Sequence, residues 1–302
     1  MCGIVGLLVK DPARHEQLGR LMSPMFACMA ERGPDSGGCA VFGNPVAEPL
    51  RRYSLFVPDP RHDWSGFGTA FRSAFDGRNG EQAEIESRSN HAILTTSAEP
   101  DRVRTYLREC NPSPYLLSVG RYMDLYKDMG EPSQIADRYG FDTFAGSHCV
   151  GHTRMATESE VTPVHAHPFT AGEDFCLVHN GSLSNPYMLR RMLEKRGIQF
   201  ETDNDTEAVC RFIEWRQRQG DNLEKALEEA FHQLDGFYTL LMATPTKMTL
   251  VRDAFACKPA VVAQTDDYVA ISSEFRSLAH LPGVADADIF EPHPETIYSW
   301  NV

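Results

Sequence analysis

Met1-Cys2-Gly3-Ile4-Val5-Gly6 opens the chain and governs how everything after it is read. A cysteine beside the initiator methionine becomes the amino terminus once that methionine is removed. It then carries a thiol, which titrates near roughly 8.5 when unperturbed, and an α-amine near about 7.7–8. The amine is a base poised close to cellular pH, so one residue holds a nucleophile and the group that activates it. Ile4 and Val5 read as the start of a buried strand, and the flanking glycines admit close approach of other backbone. The competing reading is an incidental cysteine ahead of an ordinary strand.

Working outward, composition narrows the classes. A chain of 302 residues suggests one large domain or two ordinary ones, with room for a sizeable core. The formal net charge of −13, with no basic stripe to offset it, opposes attraction to nucleic acid or an anionic membrane, so neither is expected as a partner. The eight cysteines form no C-x-x-C pair, and most have apolar neighbours in sequence. They read as small buried hydrophobes in a reducing compartment. The start lacks the cationic lead of a secretory signal, and no run approaches the roughly 20 apolar residues that span a bilayer. A soluble cytoplasmic protein is expected.

Periodicity then places the motifs. Leu18, Leu21, Met22, Met25 and Met29 share a helical face, which predicts one amphipathic helix from about Ala13 to Glu31, ending at Gly33-Pro34. The methionine stripe reads as core packing. Residues 51–144 carry strand-like pieces (Tyr53 to Val57, Ala92 to Thr96, Tyr115 to Val119) and helices from Asp101 to Glu109 and near Ser133 to Tyr139, but no chemical motif. This stretch reads as an elaboration of the fold. Motifs return in a predicted strand through Val150-Gly151-His152-Thr153-Arg154, in a loop with His165-Ala166-His167-Pro168, and in a strand emptying into His179-Asn180-Gly181. Helices are expected over Asn185 to Arg196, through Val209, Phe212 and Trp215 behind the N-cap candidates of Thr202 to Glu207, and over Leu223 to Leu234, followed by a strand-rich tail. Strands at both ends with helices between them suggest sheets layered against helices, an α+β fold.

Three chemistries compete. In acyl transfer, thiolate attack by Cys2 on a carboxamide creates an oxyanion that needs preorganised donors. Asn180 offers a side-chain N–H, and Gly181 a backbone N–H with no side chain in the way. The same pair is also a common turn. Arg32 and Arg154 are candidates for gripping an α-carboxylate through a bidentate fork, although Arg32 also reads as a cation favoured at a helix C-terminus. Asp205 is a candidate for an α-ammonium, or a helix cap, or both. The second chemistry is a metal site built from His148, His152, His165, His167 and His179. Their spacing matches no familiar ligand pair, so none is expected. The third is a scaffold without catalysis, supported by the motif-poor middle.

Taken together, these residues resemble the class II glutamine amidotransferases, which are N-terminal nucleophile hydrolases. The matching pieces are Cys2-Gly3-Ile4, Arg32-Gly33-Pro34-Asp35-Ser36, Gly151-His152-Thr153-Arg154, His167-Pro168, His179-Asn180-Gly181 and Asp205-Thr206-Glu207. Val251-Arg252-Asp253 with Lys258-Pro259, and Ser272-Ser273-Glu274, look like late signatures of the same family. The resemblance implies a four-layer αββα sandwich over residues 2–302, with 51–144 as a family-variable elaboration within it. It implies hydrolysis of L-glutamine to glutamate and ammonia. Cys2 would be the nucleophile and its α-amine the base. Asn180 and Gly181 would form the oxyanion hole, Arg154 would bind the α-carboxylate and Asp205 the α-amine. Arg32, Thr157 and His167 would line the site. Asp203 is a near neighbour, and Asp205 is preferred because Thr206-Glu207 follows it.

Met155 and Glu158 depart from the tryptophan and histidine usual in the sugar-phosphate branch, which argues against that branch. The chain ends soon after the amidotransferase motifs, with no acceptor domain following. It is similar in this to the stand-alone amidotransferase subunit of N-methylglutamate synthase and to the glutamate-synthase-like GlxB proteins. That resemblance implies no cofactor in this chain, with flavin and iron–sulfur clusters on separate partner subunits and a sealed route for ammonia between them. A catalytically idle interaction subunit of such a synthase is the alternative.

Overall fold

The computed structural model of the chain describes residues 2–75, 83–155 and 161–302. The opening strand Gly3–Val9 (β1) lies near the middle of a seven-stranded sheet. Its neighbours run in the order Asp288–Phe290 (β15), Val261–Gln264 (β13), Tyr268–Ser272 (β14), β1, His148–Arg154 (β8), Ser36–Phe42 (β2) and Met123–Met129 (β7). Every pairing is antiparallel. A second antiparallel sheet runs Tyr298–Asn301 (β16), Lys247–Arg252 (β12), Gly236–Thr244 (β11), Cys176–Leu183 (β10) and Phe169–Thr170 (β9).

Strand alternation explains why β1 is apolar throughout. Val5, Leu7 and Val9 pack outward with Leu18, Met22 and Phe26 of helix Leu18–Cys28 (α1). Ile4 and Leu8 point the other way, into a second core with Val178, Leu241 and Met248 of the five-stranded sheet. On the far face of that sheet, Leu177 and Leu240 pack with Val209 and Phe212 of helix Asp205–Arg218 (α6) and Leu227 of helix Leu223–Gln233 (α7). Each such side chain stabilises the body by about 1.5–3 kcal/mol relative to exposure. Three cores between four layers make the αββα sandwich. The remaining helices of the two outer layers are Pro132–Tyr139 (α4) and Phe275–Leu278 (α8) beside α1, and Pro186–Glu194 (α5) beside α6.

A separate four-stranded antiparallel sheet comes wholly from the motif-poor stretch: Ala83–Arg88 (β4), His91–Thr96 (β5), Arg51–Phe56 (β3) and Tyr115–Gly120 (β6). Helices Trp64–Phe75 (α2) and Pro100–Glu109 (α3) cover it through a core of Tyr53, Phe67, Phe71, Val103 and Tyr106. Sequence periodicity had not found α2, β4 or β7.

One expected element is corrected. The single helix from Ala13 to Glu31 is three pieces, a 3-10 turn Pro12–Gln17, then α1, then a 3-10 turn Ala30–Arg32. Asp11 caps the first piece by accepting from the Ala13 N–H at 3.0 Å. Residues 141–144 then lie across the first turn of α1, where the Gly19 N–H donates to the Phe144 carbonyl at 2.9 Å. A Cβ on Gly19 would sit 2.2 Å from the Phe141 carbonyl oxygen, so only glycine admits this crossing. Among the described residues, no helix is long and apolar enough to cross a membrane.

Candidate active site

Cys2 lies just ahead of β1, at the end where β1, β8 and β10 come together. The backbone of β1 is pinned there by Ser273, whose hydroxyl accepts from the Ile4 N–H and whose N–H donates to the Ile4 carbonyl, both at 2.9 Å. The Cys2 carbonyl accepts two bonds, from Arg32 Nε at 3.0 Å and from Asn180 Nδ2 at 3.1 Å. Arg32 is itself held by Glu274 (Nη1 to Oε1, 3.0 Å), which also pairs with Arg276. Burial pushes the Cys2 thiol above its ordinary range, and the charges of Arg154 and Lys258 pull it partly back. A thiol kept protonated at neutral pH needs a base to act as a nucleophile, which is the service an adjacent amine supplies.

The hollow beside Cys2 measures about 200 Å³, and its walls include Arg154, His167, His179, Gly181 and Asp205. Arg154 arrives at the end of β8 and is buried there; burial lowers its guanidinium pKa against the opposing pull of Cys2, Asp35 and Asp203. Gly181 has a φ of +154°, and a Cβ at that position would lie 1.9 Å from the Phe237 carbonyl oxygen. The pair Asn180-Gly181 is therefore not a free turn. It belongs to β10, paired with Thr239 and Tyr238 of β11.

Asp205 is the first residue of α6, and the cap is its neighbour: Asn204 Oδ1 accepts from the Thr206 N–H at 2.9 Å. Capping by Asn204 releases the Asp205 carboxylate to face the hollow, where Oδ2 accepts from the Leu183 N–H at 2.9 Å. Burial alone would raise its pKa. His179, the Leu183 N–H and the Thr206 hydroxyl outweigh burial and hold it at about 2. Asp203 also reaches the hollow but is exposed and bonded to His165 Nε2 at 3.0 Å. Glu207 fixes the approach to the helix by accepting from the N–H groups of Glu201 (2.8 Å) and Thr202 (2.7 Å).

Beneath the hollow, the Thr206 hydroxyl joins His167 Nε2 (2.8 Å), His179 Nδ1 (3.0 Å) and Asp205 Oδ1 (3.3 Å). His152 stacks on His167 with ring centroids 4.1 Å apart, and its Nε2 bonds the His179 carbonyl at 3.0 Å. Burial lowers the pKa of both His152, to about 3, and His167, so these rings are neutral supports. His148 bonds the Thr244 carbonyl. Among the described residues, no group of three or more His, Cys, Asp or Glu could hold a metal ion.

Of the residues singled out in the sequence, Cys2, Arg154, His167, Gly181 and Asp205 meet at one hollow, with Asn180 bonded to Cys2 behind it. Arg32, read as lining the site, instead stands behind Cys2 and grips its carbonyl. Thr157 and Glu158 lie outside the described residues. Thr206 and Glu274 were quoted only as parts of motifs, and nothing in their spacing marked them as the hub under the hollow and the brace behind Cys2.

Residues 152–280 match the family described as a glutamine amidotransferase domain. The chain is 42% identical over 302 residues to the glutamine amidotransferase-like protein GlxB of Rhizobium meliloti (strain 1021), covering 100% of this chain and 98% of that one. It is 35% identical over 127 residues to a glutamine–fructose-6-phosphate aminotransferase of Vibrio cholerae, covering 41% of this chain and 21% of that protein. Its fold is similar to that of the glutamine phosphoribosylpyrophosphate amidotransferase from B. subtilis complexed with ADP and GMP, with a TM-score of 0.61 and 18% identity over 99% of this chain and 49% of the other. Full-length identity to GlxB, together with the αββα body and its fold neighbour, shows that the chain belongs to the class II glutamine amidotransferases, which are N-terminal nucleophile hydrolases.

Proposed function

We propose that the protein hydrolyses L-glutamine to glutamate and ammonia through a thioester on Cys2. It would act as the amidotransferase subunit of a cytoplasmic multi-chain synthase of the N-methylglutamate synthase or glutamate-synthase-like kind. The observation that carries this reading is the single hollow shared by Cys2, Arg154, Gly181 and Asp205, with Asn180 on the Cys2 carbonyl. A guanidinium and a carboxylate set on its walls suit the two charged ends of an amino acid, and the thiol lies where a side-chain amide would reach.

In this reading the α-amine takes the thiol proton while sulfur attacks the amide carbon. The tetrahedral oxyanion is met by Asn180 Nδ2 and the Gly181 N–H; the amide carries two hydrogens, so bonding the Cys2 carbonyl uses only one. The amine then returns the proton to the departing nitrogen and ammonia leaves. A water, deprotonated by the same amine, cleaves the thioester to glutamate. Residues 2–302 act as one amidotransferase domain without a cofactor. Ammonia or a glutamyl group passes to separate glutamate-synthase-like subunits, which would carry flavin and iron–sulfur chemistry.

The test is ammonia release from glutamine by wild type and Cys2→Ala, alone and with co-expressed neighbouring subunits, with intact mass reporting whether Met1 is removed. Wild type should release ammonia and be labelled once by a glutamine-like diazoketone, and Cys2→Ala should do neither. Equal rates for the two proteins would refute the nucleophile. Absence of labelling even with partner subunits present would favour the idle interaction subunit.

A further inference from the structure

Lys127 lies on β7, within the stretch where the sequence offers no chemical motif, and its side chain is only 4% exposed. Among the described residues its ammonium makes no ion pair. It donates instead to three backbone carbonyls of one segment, Val164 at 3.1 Å, Ala166 at 2.9 Å and Pro168 at 3.4 Å. An ammonium has three donors and no acceptor, so the match is complete. The Phe169 ring closes the pocket, its centroid 4.9 Å from Nζ. Burying an ammonium without a carboxylate is costly, and an apolar side chain of similar length would fill this space with no such penalty.

What the ammonium organises is the far side of the same segment. Carbonyls 164, 166 and 168 turn in towards Lys127, while His165 reaches Asp203 at 3.0 Å and His167 reaches Thr206 at 2.8 Å. Those contacts lead directly to the start of α6, where Asp205 faces the hollow.

We propose that Lys127 is a positioning residue for glutamine: its ammonium holds the 164–168 segment so that His167 and, through Thr206, Asp205 stay in the geometry that binds the amino acid. This rests on the glutamine-binding reading of the hollow. Burial lowers the Lys127 pKa to about 8, against the pull of Glu201 and Glu207. Those carboxylates are shared with Arg211, and Arg104 and Arg108 of α3 line the same outer cavity. On the inner side stand His167 and the His91 ring, which accepts the Lys127 backbone N–H at 3.3 Å. Above about pH 8 the neutral amine would turn a lone pair on one of the carbonyls, and the grip should loosen.

The experiment compares wild type with Lys127→Met by amide hydrogen exchange over residues 161–170 and by glutamine kinetics between about pH 7 and pH 9.5. Exchange in the segment should quicken about tenfold in the variant. KM should rise about tenfold with kcat within about threefold, and the rise of KM at about pH 8 expected in wild type should be missing, leaving only the rise that comes from deprotonation of glutamine's own ammonium at higher pH. Unchanged exchange and KM would overturn the proposal. If neither protein hydrolyses glutamine, the exchange result still decides whether Lys127 holds the segment, while the hydrolysis reading fails separately. If Lys127→Met does not fold, wild type decides alone: exchange at 161–170, corrected for its intrinsic pH dependence, must quicken between pH 7 and pH 9.5, and a flat result overturns it.

Discussion

Replacing Asp205 with asparagine preserves the shape of the side chain and removes its charge, which makes two separable quantities measurable. The carboxylate falls from an ordinary 3.8 to about 2 on folding. At 1.36 kcal/mol per pH unit, that is roughly 2 kcal/mol of folded-state stabilisation. The folded pKa lies below the unfolded one, so the stabilisation is fully present above about pH 4 and is lost as pH falls through about 2. Urea unfolding should therefore show Asp205→Asn to be less stable by about 2 kcal/mol near pH 7 and by about half that near pH 3. The same charge is proposed to hold the substrate ammonium. Hydrogen bonds to charged groups are worth about 1.5–3 kcal/mol, so KM for glutamine should rise roughly 10- to 150-fold at neutral pH. A stability deficit of equal size at pH 7 and pH 3 would refute the electrostatic account. A KM within twofold of wild type would refute the role in binding.

Gly181→Ala should lose at least about a hundredfold in kcat/KM, because the added methyl would displace the Phe237 carbonyl next to the proposed oxyanion donors; a loss below about fivefold would count against that placement. Arg32→Met should slow alkylation of Cys2 and lower kcat/KM by about tenfold without changing the glutamine-over-asparagine preference, since Arg32 touches Cys2 and Glu274 rather than the hollow; a changed preference would place Arg32 in substrate binding instead. Thr206→Val should cost about 1–3 kcal/mol in urea unfolding, because it strips two buried rings and a carboxylate of a shared partner; a difference under about 0.5 kcal/mol would mean that the rings find other partners.

Much of the sandwich was readable because its strands and helices obey local rules. β1 alternates between two apolar environments, and α6 and α7 carry their apolar residues on one face behind asparagine caps. β7 was hidden because charge is buried on both of its faces. Asp124 is satisfied by Arg52, Lys127 by carbonyls 164–168, and Asp128 by Arg138, partners that no local window of sequence contains. β4 was hidden for the opposite reason, as a strand of alternating Glu84 and Glu86 with only Ile85 between them half-buried. At the site, residues that touch the hollow come in short recognisable motifs. Those that brace it sit in such motifs too, but nothing local names the partner each one takes: Glu274 stands 242 positions from Arg32, and only folding brings them together.

The hydroxyl of Thr206 has one hydrogen and two lone pairs, and its three neighbours use all of them. With the hydrogen directed at Asp205, both imidazoles must present N–H to the oxygen, so each ring is confined to a single tautomer. Adding or withdrawing a proton at any member reshuffles the other two. Substitutions within this floor will accordingly not combine additively.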